Sequence, residues 1–219
     1  MRVGILGGAF NPPHIGHLVC AQEALLQLEL DRVVFIPVGE APHRELEIDP
    51  GPETRLEMVE LAITDDARFE ASRMEIDRDG PSYTADTLRA LRDAEHELFL
   101  ILGGDQAAAL PEWREPEQVL EMAQVAVVER TNWSRNAVGI RVGRLEGARR
   151  IRYLEMPIIQ VSSSSIRRRV AAGLPIRYLV PDRVANHIGA NDLYGEQAAP
   201  ATPGSPGSTS KPPMAEAPT

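Results

Sequence analysis

Two histidines, His14 and His17, close the run Gly7-Gly8-Ala9-Phe10-Asn11-Pro12-Pro13-His14-Ile15-Gly16-His17. Ahead of it stands a short apolar run, Val3-Gly4-Ile5-Leu6, and behind it an amphipathic one from Leu18 to Leu28. The order is strand, glycine-rich turn, helix start. A parallel α/β sheet binds phosphate at such a place, because unpaired backbone N–H groups and the positive end of the helix dipole converge there. Glycines let an anion approach the backbone, prolines stiffen the loop, and both imidazoles offer donors to the same anion. The run therefore reads as a nucleotide site. Neither G-x-x-x-x-G-K-[ST] nor G-x-G-x-x-G is present, which speaks against a Walker-type NTPase and against the dinucleotide fingerprint. Zinc is a rival use of histidines three apart. It takes three or four protein ligands, and no cysteine or carboxylate is spaced to complete the set.

A second segment can hold an anion: Val161-Ser162-Ser163-Ser164-Ser165-Ile166-Arg167-Arg168-Arg169. Serines at a helix start cap free N–H groups, and an arginine one turn later lies over the same end. An anion there would meet hydroxyls, backbone donors, the helix dipole and a guanidinium together. The plainer reading is a capped helix with a solvated basic face.

These residues need a frame. At 219 residues, 43 % hydrophobic and 25 % charged, the chain suits one domain of ordinary size with a substantial core. A net charge of −9 argues against nucleic acid and against an anionic membrane surface, but not against a phosphorylated small molecule. No apolar run reaches membrane-spanning length, and the N-terminus has no signal-peptide pattern. The one cysteine, Cys20, falls among Leu18, Val19 and Ala21 on a core-facing helical position, and a lone thiol fits a cytoplasmic protein.

Short apolar runs alternate with longer amphipathic ones. Strands are expected over 2–6, 32–38, 72–77, 98–102, 125–129 and 151–154, and helices over 17–28, 54–63, 84–94, 116–122, 164–172 and 181–188. Runs such as Val33-Val34-Phe35-Ile36 are apolar without alternation, as when helices cover both faces of a parallel sheet. The expected fold is α/β, a Rossmann-like doubly wound, mostly parallel sheet with helices on both faces. Residues 1–195 would form this domain; 196–219, rich in proline, glycine and serine, reads as a disordered tail with no catalytic part.

The histidine run resembles the G-G-[TS]-F-[DN]-P-x-H-x-G-H signature of the nucleotidylyltransferase superfamily, and the serine run resembles its second signature, S-[ST]-[ST]-x-[IL]-R. Four further segments are similar to one branch, the bacterial nicotinate-nucleotide adenylyltransferases. Ala41-Pro42-His43-Arg44 stands where that family has P-P-H-K, and Ser82-Tyr83-Thr84-Ala85-Asp86-Thr87-Leu88 matches S-Y-T-x-x-T-L. Leu102-Gly103-Gly104-Asp105, with Leu110 and Trp113, matches G-x-D-x-x-x-x-L-x-x-W, and Pro175-Ile176-Arg177-Tyr178-Leu179-Val180-Pro181 resembles P-[IL]-x-Y-L-[VI]-P. The likeness runs from residue 1 to about residue 195. There are departures: Ala9 and Asn11 replace the usual threonine and aspartate, and Ala41 and Arg44 a proline and a lysine.

The resemblance implies that AMP passes from ATP to nicotinate mononucleotide, giving nicotinate adenine dinucleotide and pyrophosphate. Gly7, Gly8, Ala9, Phe10, Gly103 and Asp105 would bind ATP, with Ser162, Ser163, Ser164 and Arg167 on its β- and γ-phosphates. His14, His17 and Arg167 would be the catalytic groups, with His17 nearest the developing charge. His43 and Arg44 would hold the mononucleotide's phosphate, donors near Tyr83 and Thr84 its carboxylate, and Trp113 its ring. Mg²⁺ would be carried on substrate phosphates with no protein metal site of its own. Nicotinamide mononucleotide as acceptor and a non-catalytic nucleotide sensor are the alternatives; oligomeric state is left open.

Overall fold

The computed structural model describes residues 1–42, 46–93, 95–128 and 133–195. Six strands form one sheet: β1 (Arg2–Gly8), β2 (Arg32–Pro37), β3 (Phe69–Ala71), β4 (Glu97–Gly103), β5 (Gln124–Val128) and β6 (Arg152–Leu154). Their order is β3-β2-β1-β4-β5-β6, and every neighbouring pair is parallel. The expected doubly wound sheet is thus present, wholly rather than mostly parallel.

Eight helices cover it: α1 (Ile15–Gln27), α2 (Pro52–Ile63), α3 (Thr84–Leu91), α4 (Gly104–Ala109), α5 (Pro116–Met122), α6 (Arg135–Val142), α7 (Ser163–Ala171) and α8 (Asp182–Ala190). Side chains alternate along each strand, and here both sets are buried. Val3, Ile5, Leu98 and Leu100 pack with Leu88 of α3, Ala107 of α4 and Val138 of α6. Leu6, Val33, Phe35, Phe99 and Ile101 pack on the other face with Ala21 and Ala24 of α1 and Val59 of α2. That division explains the unbroken apolar runs. A third cluster joins Met58 of α2 to Ile166 of α7 and to Val184 and Ile188 of α8.

Four elements differ from the sequence reading. The strand expected over 72–77 is the shorter β3 just before it, paired Val33↔Phe69 to Phe35↔Ala71. Arg73 to Asp77 alternates like a strand but forms a turn, in which the amides of Ile76 and Asp77 donate to the Arg73 carbonyl. The helix expected over 84–94 ends at Leu91. Two helices went unread: α4, which opens on paired glycines, and α6, which has an interior glycine.

The sheet reverses its winding between β1 and β4. The loops leaving their carboxyl ends diverge there, opening the crevice in which such sheets take ligands. Cys20 is buried at that edge, on α1 as expected. Among the described residues no helix is long and apolar enough to cross a membrane.

Candidate functional site

Two cavities of similar size, about 610 and about 640 Å³, open at this point. The first takes residues from several elements. Gly7, Ala9 and Phe10 come from β1 and its turn, and His14 and His17 from the start of α1. Gly103 comes from the end of β4, Asp105 from the start of α4, and Ser162, Ser163, Ser164 and Arg167 from α7 and its cap. So the two signatures, far apart in sequence, meet on one space. Gly8 lines the second cavity instead, while Gly7 and Ala9 line both. A Cβ placed on Gly7 would meet no protein atom within 4 Å, so glycine leaves that space to whatever occupies the cavities.

Each grip is locally ordered. His14 is the N-cap of α1, and its backbone N–H donates to Nδ1 of His17 at 3.1 Å. The rings stack with centroids 3.8 Å apart, and Phe10 sets its edge against His17 at 5.0 Å. Ser162 caps α7 by accepting the Ser165 amide, while the Ser165 hydroxyl takes the Ser162 amide in return. Ser163 Oγ donates to the Pro12 carbonyl at 2.8 Å, pinning α7 against the turn after β1. Arg167 is buried; its Nη1 donates to the Asn11 carbonyl at 2.8 Å and its Nη2 reaches Ser164 Oγ at 3.4 Å. Beneath the turn, the fully buried Arg55 of α2 donates to the carbonyls of Ala9 and Gly39 and to Asp49. Nothing in the sequence reading singled out Arg55; its one visible signal is a cation on the apolar face of a helix.

The second cavity is of another character. It is lined by Tyr83 and Thr84 at the start of α3, by Trp113, and by Ala41 and Pro42. His43 and Arg44 lie outside the described residues. Tyr83 is the N-cap of α3 and has no side-chain cap bond, while the amide of Asp86 in that first turn donates to the Tyr83 carbonyl at 3.0 Å. The guanidinium of Arg114 covers the Tyr83 ring at 4.7 Å. Trp113 is half-buried against the core. Glu75, Ser82 and Thr87 form a buried polar floor, of which the sequence reading singles out the segment with Ser82 and Thr87 but not Glu75: Thr87 Oγ1 donates to Glu75 at 2.6 Å and accepts from Arg78 at 3.1 Å. Burial pushes the Glu75 carboxyl above its ordinary value, although the bond from Thr87 works the other way.

The two cavities are joined. Gly7, Ala9, Leu46, Leu102 and Gln106 line both, so occupants of each would touch along that seam. Among the described residues no three His, Cys, Asp or Glu side chains gather in a set able to hold a metal.

Known proteins share this arrangement. The family model described as cytidylyltransferase-like matches residues 5–169. A probable nicotinate-nucleotide adenylyltransferase of Roseiflexus sp. (strain RS-1) is 45 % identical over 193 residues, 88 % of this chain and 97 % of that protein. One from Exiguobacterium sibiricum is 40 % identical over 196 residues, 89 % and 99 % of the two chains. The nicotinic acid mononucleotide adenylyltransferase of Plasmodium falciparum, solved in complex with APC, superposes with a TM-score of 0.71 at 14 % identity, covering 88 % of this chain and 96 % of its own. That last likeness is one of fold. The relatives cover 88 % and 89 % of this chain at 45 % and 40 % identity, and so the chain belongs to the cytidylyltransferase-like proteins and, among them, to the nicotinate-nucleotide adenylyltransferase family.

Proposed function

We propose that the chain transfers AMP from ATP to nicotinate mononucleotide, releasing pyrophosphate and nicotinate adenine dinucleotide. The observation that carries this is the seam: a cavity of phosphate grips meets one with an aromatic wall and a helix start, along Gly7, Ala9, Leu46, Leu102 and Gln106. Two nucleotides placed in these cavities would have their phosphates in contact.

ATP takes the first cavity. The turn after β1, Gly103 and Asp105 hold the nucleotide, and Arg167 with the serines of α7 holds the β- and γ-phosphates. Ser163 and Arg167 also bind the turn after β1 through Pro12 and Asn11, which keeps both grips in one frame. Nicotinate mononucleotide takes the second cavity, its ring against Trp113 and its carboxylate on the amides opening α3. His43 and Arg44 hold its phosphate.

The attacking atom is an oxygen of that phosphate, whose second pKa is near 6. It is largely ionised at neutral pH and needs no general base. It forms a bond to the α-phosphorus as the bond to the β-phosphate oxygen breaks, and pyrophosphate leaves with the electron pair. The protein's part is alignment and neutralisation of charge in flight. With Nδ1 accepting a backbone N–H, His17 carries its ring proton on Nε2, a donor for the cavity. Asp105 of α4, which lines the first cavity, would hold the waters of a Mg²⁺ carried on ATP, and the ion would supply neutralisation of phosphate charge there.

Residues 1–195 carry this work and 196–219 take no part in it. The chain's expected site of action is the cytoplasm, a reading that the lone cysteine and a cellular nucleotide as substrate support.

Pyrophosphate release, measured with ATP, Mg²⁺ and each acceptor in turn, tests the reading. Preference for nicotinate over nicotinamide mononucleotide is expected. Equal use of both would remove the ring pocket's role, and ATP binding without release would favour a nucleotide sensor.

A further inference from the structure

Tyr194 belongs to none of the sequence signatures and lies 183 residues from the phosphate turn, yet its hydroxyl donates to Asn11 Oδ1 at 2.6 Å. The contact is buried, with Tyr194 4 % and Asn11 3 % exposed. Burial holds the phenol above its ordinary value, so the hydroxyl keeps its proton. Tyr194 sits at φ +64°, a region that bulky residues adopt only when surrounding contacts hold them there.

The Asn11 amide is fully used. Its Nδ2 donates to the carbonyls of Glu47 (3.2 Å) and Ile48 (3.3 Å), in the strap that walls the first cavity with Leu46 and Glu47. Its backbone carbonyl takes Nη1 of Arg167. One residue thus joins the phosphate turn, the strap, the arginine of α7 and the segment after α8. Only an amide can do this: the oxygen accepts from Tyr194 while the nitrogen donates to two carbonyls. An aspartate there, the residue usual in the family, would turn a carboxylate oxygen toward the two carbonyl oxygens.

We infer that Tyr194 is a positioning residue for the ATP site, acting through Asn11, whose side-chain amide ties down the strap 46–48 and whose backbone carbonyl holds Arg167. The inference rests on the first cavity being the ATP site. It makes the family's commoner aspartate the worse residue in this chain, because Asn11 and Tyr194 work as a pair.

Tyr194→Phe removes one hydroxyl and keeps the buried ring, and Asn11→Asp keeps the shape and removes the two donors. ATP affinity measured by titration calorimetry on the full chain, and KM for each substrate, read the effect. Tyr194→Phe should weaken ATP binding by roughly three- to tenfold, the value of one buried hydrogen bond, with KM for nicotinate mononucleotide unchanged. Asn11→Asp should weaken it further, and the double variant by less than the product of the two. Amide exchange at 46–48 should quicken in Tyr194→Phe while its melting temperature stays close to that of the unaltered chain. Unchanged ATP affinity in Tyr194→Phe, or an equal rise in both KM values, would overturn the inference alone. An unaltered chain with no affinity for ATP would overturn the site assignment together with it.

Discussion

His17 accepts the His14 backbone N–H at its Nδ1, and the two rings lie 3.8 Å apart with planes 22° from parallel. The bond fixes the side chain of one histidine to the main chain of the other, at the first turn of a helix that follows directly on the phosphate turn. Phe10, edge-on to His17 and itself packed on Phe35, closes the other side. The imidazole is therefore aimed before any substrate arrives, and preorganised donors are where much of an enzyme's rate advantage resides.

His17→Ala should consequently act on turnover. In the proposed reaction its interaction would strengthen as charge develops, so kcat should fall by about 10²–10³ while KM for ATP changes only a few-fold. Steady-state kinetics read both. Near-normal kcat with a large rise in KM would make His17 a ground-state ligand.

Arg167→Lys tests a different dependence. The guanidinium reaches the Asn11 carbonyl with one nitrogen and Ser164 Oγ with the other, a fork no ammonium reproduces. Loss of one charge-assisted bond in a buried setting should raise KM for ATP about tenfold or more. A lysine variant with unaltered kinetics would show that charge alone suffices there.

The contrast between these two grips and the rest of the site shows what the sequence made legible. His14, His17, Ser163 and Arg167 stand in short runs whose composition is unusual for a helix start, so they could be singled out in the sequence, while their meeting on one cavity could not. The sheet was readable because strands buried on both faces lose alternation, as β2 and β4 do. Arg55, Glu75 and Tyr194 were not, since their roles arise from partners brought together by folding: the carbonyl of Ala9, the hydroxyl of Thr87 and the amide of Asn11. The turn at 73–77 misled for a related reason. Its alternation belongs to a surface ion pair, Arg73 with Asp77, and not to a sheet face. Ser134, which caps α6 by accepting the Ala137 amide, was the one plain helix signal left unused.

Trp113 gives a prediction for the acceptor side. The side chain lines the second cavity while half-buried against the core, so its removal should change the ring pocket more than the fold. Stacking contributes about 0.5–1.5 kcal/mol beyond burial, so Trp113→Ala should raise KM for nicotinate mononucleotide by roughly tenfold once lost burial is included. Trp113→Phe should keep most of the affinity, and KM for ATP should hold in both. Equal rises for both substrates would assign Trp113 to packing alone.

Glu75 predicts a pH dependence of stability with a definite sign. Its carboxyl is buried beneath the second cavity, and desolvation raises its pKa above the ordinary 4.5. Between 4.5 and the raised value the folded chain keeps a proton that the unfolded chain has lost. Stability therefore falls as pH rises through that window, and is constant in this respect above it. Glu75→Gln removes the titration and retains an oxygen to accept from Thr87. Urea unfolding across a pH series should show the variant gaining on the unaltered chain as pH rises from 4.5, then running parallel to it. The opposite slope would mean that Arg78 and Thr87, not burial, govern this carboxyl, and that it is held ionised beneath the pocket.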